Sequence, residues 1–569
     1  MKKEDIDKRE VRFAWHIPST DHRSDLHYVR EDITLKDGSI VPYTYLVKDY
    51  KRNVWVTRQS NRSHKEKKEF EFLENLNSRK TTQSDLNKTV GGLLGESYLV
   101  NQPDKIKNSP YVYGYDITST SLIKYSSLKR NDFVQSKYSV AAFDIEVDPT
   151  TNEIIMATIA YNNKTHTAAL SKFYKNTNNI LARVKDAARI YIPNYEENYT
   201  KLDIQLTLHD NEVDLLKDVF RIANEWAPAF LCIWNMDYDI SRIMECLKRH
   251  QVNPIDVICD QSVPRYARIC RYKQGLKKKI KASGQVQPIN PSLQWHTLIT
   301  TSKFYVIDSM CAFRQLRVTQ PERPSYSLDA ILKSELETQK LKFDVADQYK
   351  GLKWHLFLQE KYPIEYTVYN LYDCLSMLEL DEKTKDLSYT LPSFASITDF
   401  PKFNSQIRKI SDALFLFGLE RGRVLGTAGK PSDKKEEDLE AEEIPGDEEE
   451  DENDPSKYKT LDLKGWIQLL PQNLLLNEGL KCLEDFPEVI TNLRGLTCDL
   501  DASSAYPSSI RIANVSKETC VNELISIENV PETIFREQNL SLCLGNANML
   551  EYMSVMFDLL PLDKIDELI

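Results

Sequence analysis

The feature that most constrains this chain is an apolar run ending on carboxylates. Residues 139–147 read Ser-Val-Ala-Ala-Phe-Asp-Ile-Glu-Val. Such a run predicts a strand covered on both faces. Asp144 and Glu146, two positions apart, then point to the same side of it. The neighbouring sequence supplies partners. Residues 153–161 and 165–170 are predicted strands. Leu215, Leu216, Val219, Phe220, Ile222, Ala223 and Trp226 recur at helical spacing, with Asp210 and Asn211 as candidate caps. Pro228 stops that helix, and 229–234 is a buried strand candidate. Strands alternating with helices over 136–388 predict an α/β sheet, whose sites gather at strand ends.

Two further carboxylates stand at the edges of apolar elements. Asp239 closes the strand-to-helix segment Trp234-Asn-Met-Asp-Tyr-Asp239. Asp373 lies four residues after Tyr369 on a helix-like stretch, 364–380, so the two share a face. Each is ordinary alone, since an aspartate caps many helices and a tyrosine fills many cores. Together, Asp144, Glu146, Asp239 and Asp373 are four carboxylates from three segments. Hydrolysing a phosphodiester with two divalent ions about 4 Å apart calls for such a set of hard oxygen ligands.

These motifs, Phe143-Asp-Ile-Glu146, Asn235-Met-Asp-Tyr-Asp239 and Tyr369-x-x-x-Asp373, resemble in order and spacing the proofreading 3′→5′ exonuclease of family B DNA polymerases. The resemblance implies a ribonuclease H-like domain in which the four acids hold two magnesium or manganese ions. It also implies that Tyr369 orients the attacking water and that Asn235 helps position a frayed strand.

A second resemblance lies downstream. Residues 497–512 include Asp501-Ala-Ser-Ser-Ala-Tyr-Pro-Ser508, similar to the first polymerase motif of the same family, D-x-x-S-L-Y-P-S. The Tyr506-Pro507-Ser508 ending sets the register and selects Asp501 over Asp499 as the metal-binding aspartate. The match implies a further ligand in the Ala502 carbonyl. It implies a triphosphate lined by Ser504, Ala505 and Tyr506, with Tyr506 the barrier to a ribose hydroxyl. Ala505 replaces the family's usual leucine. Ile510-Arg511, Asn514-Val-Ser-Lys-Glu-Thr519, Pro228-Ala-Phe230 and Ser411-Asp-Ala-Leu414 are similar to segments of T-even-like tailed bacteriophage polymerases. The sequence contains neither K-x-x-x-N-S-x-Y-G nor Y-G-D-T-D-S, which in the family supply the fingers lysine and the other metal-binding aspartate. The simplest expectation is a split polymerase, in which a second polypeptide carries fingers, remaining palm and thumb and shares the magnesium site at Asp501; a fragment and a truncated gene are the other readings. The apolar, amphipathic stretch from Leu559 to Ile569 suits an interface helix. Lys464-Gly465-Trp466 departs from the Y-x-G-G-type segment of many relatives.

A net charge of −11 looks wrong for a DNA enzyme until it is localised. Between Asp433 and Asp454 stand 14 acidic residues and two lysines, so the remainder carries +1. Residues 261–307 hold no acid but contain Arg265, Arg268, Arg271, Lys273, Lys277, Lys278, Lys279, Lys281 and Lys303. That cluster can follow a phosphate backbone, or be a solvated loop. It falls where relatives place a DNA-contacting hairpin. The ten cysteines form no C-x-x-C pair, which predicts a reducing interior and no zinc or disulfide framework. No stretch is long and apolar enough to span a membrane.

The expected architecture is multidomain, α/β and α+β. A mixed N-terminal domain occupies 1–135, with a hairpin at Asp37-Gly38 and a strand at 53–57. The ribonuclease H-like exonuclease occupies 136–388, and 389–429 returns to the N-terminal domain. An acidic linker covers 430–457, and the start of a polymerase palm covers 458–569. Expected partners are primer-template and single-stranded DNA, dNTP and the second polypeptide, with a sliding clamp as a further candidate. The phage resemblance implies the host-cell cytoplasm. Two other functions remain open: a stand-alone 3′→5′ exonuclease with a vestigial polymerase motif, and a non-catalytic DNA-binding assembly subunit.

Overall fold

The computed structural model describes residues 5–426 apart from 19–23, 63–71, 97–99, 176, 281–285 and 319; for 279 and 280 it describes backbone alone. The acidic run, Lys464-Gly465-Trp466, the motif with Asp501, Ala502, Ser504, Ala505 and Tyr506, and the C-terminal stretch lie outside the described residues.

The chain opens with an antiparallel sheet of β1 (Ile6–Ile17), β2 (Leu26–Leu35) and β3 (Ile40–Lys48). The expected turn at Asp37-Gly38 joins β2 to β3, with Gly38 at φ 83°, a conformation that favours glycine. A second sheet has the order β5-β4-β6, from β4 (Arg52–Thr57), β5 (Leu76–Thr81) and β6 (Val112–Tyr113). Beside these sheets run α1 (Leu86–Leu94), α2 (Pro103–Asn108) and α3 (Ser119–Arg130).

An α/β region follows: β7 (Val140–Val147), β8 (Ile154–Tyr161), β9 (Lys164–Leu170), α4 (Ile180–Tyr191), α5 (Tyr195–Asn198), β10 (Asp203–His209), α6 (Glu212–Trp226), β11 (Phe230–Ile233) and α7 (Met236–Arg249). Next come β12 (Cys270–Lys273), the hairpin β13 (Lys278–Ile280) and β14 (Val286–Pro288), then β15 (Thr297–Thr300) and β16 (Tyr305–Asp308). The helices α8 (Ser309–Gln315), α9 (Leu328–Leu336), α10 (Leu352–Lys361), α11 (Pro363–Thr384), α12 (Leu391–Ala395) and α13 (Gln406–Glu420) complete the described chain.

Eight strands form one mixed sheet in the order β10-β9-β8-β7-β11-β16-β15-β12. β7 pairs antiparallel with β8 and parallel with β11, and β11 parallel with β16. This mixed α/β arrangement is compatible with the expected ribonuclease H-like fold. β7 is covered on both faces, which explains its unbroken apolar sequence. Phe143 stacks on Phe220 of α6 with ring centroids 5.5 Å apart. The opposite face of β7, the one bearing Asp144 and Glu146, lies against α11. α6 starts as the sequence indicates: the Asn211 side chain accepts from the Asp214 amide at 2.9 Å.

Distant segments share cores. Phe13 and Trp15 of β1, Phe230 of β11, Tyr305 of β16 and Phe400 form one aromatic cluster, with Trp15 and Tyr305 centroids 5.5 Å apart and Phe230 and Phe400 5.0 Å apart. Another core joins Trp55, Leu76, Tyr113 and Ile117 to Ile397, Phe415, Leu416 and Val424. The six described cysteines are free, and no helix among the described residues is long and apolar enough to cross a membrane.

Candidate active site

β7, an interior strand of the sheet, carries Asp144 and Glu146 near its C-terminal end on the face that packs against α11. The register places Asp144 across from Thr158 and Glu146 across from Met156, and a bulge follows at Glu146/Val147. α11 begins at Pro363, a residue suited to a first helical turn because no amide is lost there. On this helix Tyr369, Asn370 and Asp373 follow Tyr366 at offsets of three, four and seven residues, one face of the helix. Asp239 enters from α7, one turn after Asn235 at its N-cap.

Asp144, Glu146 and Asp373 offer carboxylate oxygens that all lie within 4.8 Å of one another. Asp239 is buried and lines the same cleft of about 810 Å³, as do Asn235, Tyr369 and Lys340. Asp239 is not within the 4.8 Å trio, yet Asp144 and Glu146 both act on its charge. The Asn370 amide donates to Asp144 Oδ2 at 2.6 Å, and the Tyr366 hydroxyl donates to Glu146 Oε2. Lys340 Nζ donates to Asp373 Oδ2 at 2.5 Å and to the Tyr369 hydroxyl at 3.2 Å.

Crowding carboxylates in a dry place disfavours their ionised forms. Burial, then the charge of Asp373, pushes Asp144 up to about 7. Burial and Asp144 push Glu146 up, burial with Asp144 and Glu146 pushes Asp239 up, and burial raises Asp373 despite Lys340. Burial works against the Lys340 ammonium, but Asp373, Tyr369 and Asp144 together hold its pKa above the ordinary lysine value. Four acids against one lysine leave this site short of positive charge. Asp373 Oδ1 and Asn370 Oδ1 are buried without a hydrogen-bond partner among the described residues. An all-oxygen donor set with an orphaned carboxylate oxygen fits a hard divalent cation.

Residues 94–331 match the family model for the exonuclease domain of DNA polymerase family B. The matched stretch includes Asp144, Glu146, Asn235 and Asp239. Tyr369 and Asp373 lie beyond it and are joined to the other acids by the fold. No curated protein matches the chain.

The basic residues occupy other ground. Arg265 pairs with Asp256 at 2.8 Å, and Arg268 bonds Gln261 and the Val263 carbonyl. Lys277 pairs with Asp237 of α7 at 2.8 Å, two residues from Asp239. Arg271 on β12 and Lys278 on β13 are exposed, and the Lys279 side chain is outside what is described. None of these lines the carboxylate cleft.

Reading motifs alone passes over Tyr366, Asn370 and Lys340. The first two were within reach, since counting back from Asp373 by helical steps lands on both. Lys340 sits in the connection between α9 and α10, 33 positions before its partner, where no periodicity marks it. A second group, Glu212, Cys246 and His250, also falls within ligand range. There Glu212 already accepts from Arg249 and His250 on one oxygen and from the Ile154 amide on the other.

Proposed function

We propose that this chain removes nucleotides from the 3′ end of single-stranded DNA, the proofreading reaction of a family B DNA polymerase, within a ribonuclease H-like domain. The observation that carries this reading is the meeting of Asp144, Glu146 and Asp373 within 4.8 Å beside Tyr369 and Asp239. Asp144, Glu146, Asp239 and Asp373 would hold two magnesium or manganese ions, which when bound acidify a water and offset charge on the phosphodiester. The chain's own groups do the placing. Lys340 ties the Tyr369 phenol to Asp373, so the hydroxyl that orients the attacking water cannot swing away. Asn370 fixes Asp144 in one rotamer. Asn235, whose side chain makes no cap hydrogen bond, lines the same cleft and would contact the strand end.

The test is release of 3′-terminal nucleotides from a labelled single strand in magnesium or manganese. Asp144→Ala with Glu146→Ala should reduce it to background; undiminished activity in that variant rejects the assignment.

Polymerisation is the further part of the proposal. Asp501 and the Ala502 carbonyl would bind metal, and Ser504, Ala505 and Tyr506 would line dNTP. The missing motifs would come from a second polypeptide, in a phage replicative enzyme acting in the host cytoplasm. Arg271, Lys277, Lys278 and Lys279 would follow the DNA backbone. Primer extension should then need a polypeptide carrying the two missing motifs. Extension by this chain alone refutes the split, and a lack of extension with that polypeptide favours the stand-alone exonuclease.

A further inference from the structure

The Tyr366 phenol has no solvent exposure at the floor of the carboxylate cleft, and its oxygen is the meeting point of three groups. Its only proton goes to Glu146 Oε2. Its oxygen accepts from Gln359 Nε2 at 3.1 Å, and the same amide also donates to the Val147 carbonyl at 3.1 Å. His355 Nδ1 lies 2.8 Å from the same oxygen. Because the phenol proton is already committed to Glu146, His355 must donate here, which sets its Nδ1-protonated tautomer. His355 and Gln359 are four apart on α10 and so reach the phenol from one helical face. The ring is held independently, stacked on Tyr369 at 5.8 Å and near Trp354 and Phe173.

Donors feeding into a hydroxyl oxygen polarise it and strengthen the bond that it donates. We propose that Tyr366 is a positioning residue for Glu146. Clamped by His355 and Gln359, it holds one carboxylate oxygen so that the other is set for a divalent cation. The clamp also ties α10 to the end of β7 through Val147, at the bulge that follows Glu146. This inference rests on the exonuclease reading above.

Tyr366→Phe keeps the ring and its stacking and removes only the hydroxyl. With the full chain, a labelled single-stranded oligonucleotide and a manganese titration, the expected result is threefold. The cation concentration for half-maximal activity rises about 10-fold, as for other groups that orient metal ligands. The KM for the oligonucleotide stays put, and the melting temperature in chelator stays close to that of the wild type. Gln359→Ala should shift the manganese requirement in the same direction by less. An active wild type with an unshifted manganese requirement in Tyr366→Phe overturns the clamp. So does a loss of activity at every manganese concentration together with a fall in melting temperature, which marks packing. An inactive wild type, or an active Asp144→Ala/Glu146→Ala variant, instead overturns the exonuclease reading.

Discussion

On the β1–β2 sheet, Glu10 and Asp32 are buried beside Arg12 and Arg30; at the end of β7, Asp144, Glu146, Asp239 and Asp373 crowd beside Lys340. In the first place the charges balance. Asp32 accepts from Arg12 Nε at 2.7 Å and from Arg30 Nη1 at 2.6 Å. Burial alone would raise Asp32, but Arg30 and Arg12 outweigh it and hold its pKa below the ordinary value. Burial likewise works against Glu10, while Ser136 and Arg12 pull it down. At the second place, all four carboxylates are raised, with Lys340 the cation acting on each. Enclosing carboxylates thus has opposite consequences in the two places. A matched network holds strands together, whereas an unmatched one creates a demand for cations from outside.

Breaking the matched network should cost the most. Asp32→Asn leaves two buried guanidiniums short of a counter-charge and should destabilise by about 3–5 kcal/mol, read by denaturant unfolding. Asp144→Ala with Glu146→Ala, by contrast, should leave the melting temperature in chelator unchanged or raised. The unmatched site should respond to cations instead. Manganese at about 100 times its Kd should stabilise the wild type by about 2.7 kcal/mol, and the shift should vanish in the double variant. Lys340→Met should lower the melting temperature in chelator by less than Asp32→Asn does, because crowded carboxylates can take up protons, and manganese should reverse the drop. The smallest effect concerns acid. A carboxyl with a lowered folded pKa contributes stability that is present above its unfolded value and lost as pH falls. Glu10→Gln should therefore flatten the fall of melting temperature between about pH 5 and pH 3.

Much of the candidate site was readable because its residues sit on regular elements. A central strand must be apolar throughout, so two carboxylates on β7 stand out, and α11 repeats its functional face at helical intervals. What stayed hidden depends on contacts between segments far apart in sequence. Lys340 comes from an irregular connection. His355 and Gln359 on α10 look like surface polar residues until Tyr366 is placed between them. The hairpin at Gly38 and the cap at Asn211 follow from local backbone chemistry and were legible. Nothing in the patterning of β1 indicated that Phe13 and Trp15 would pack against Tyr305: Glu10 and Arg12 interrupt its apolar residues, although 10–15 are all buried.

Arg30 has a consequence for modularity. Besides Asp32, its guanidinium reaches the carbonyls of Ala227 and Lys303, 197 and 273 positions away. With Phe13 and Trp15 it makes the first sheet an organ of the nuclease rather than an attachment to it. A recombinant piece cut at residue 136 would lose the donors that quiet those carbonyls and would uncover the rings of Phe230 and Tyr305. Anyone grafting this nuclease onto another enzyme would have to carry β1 and β2 along with it.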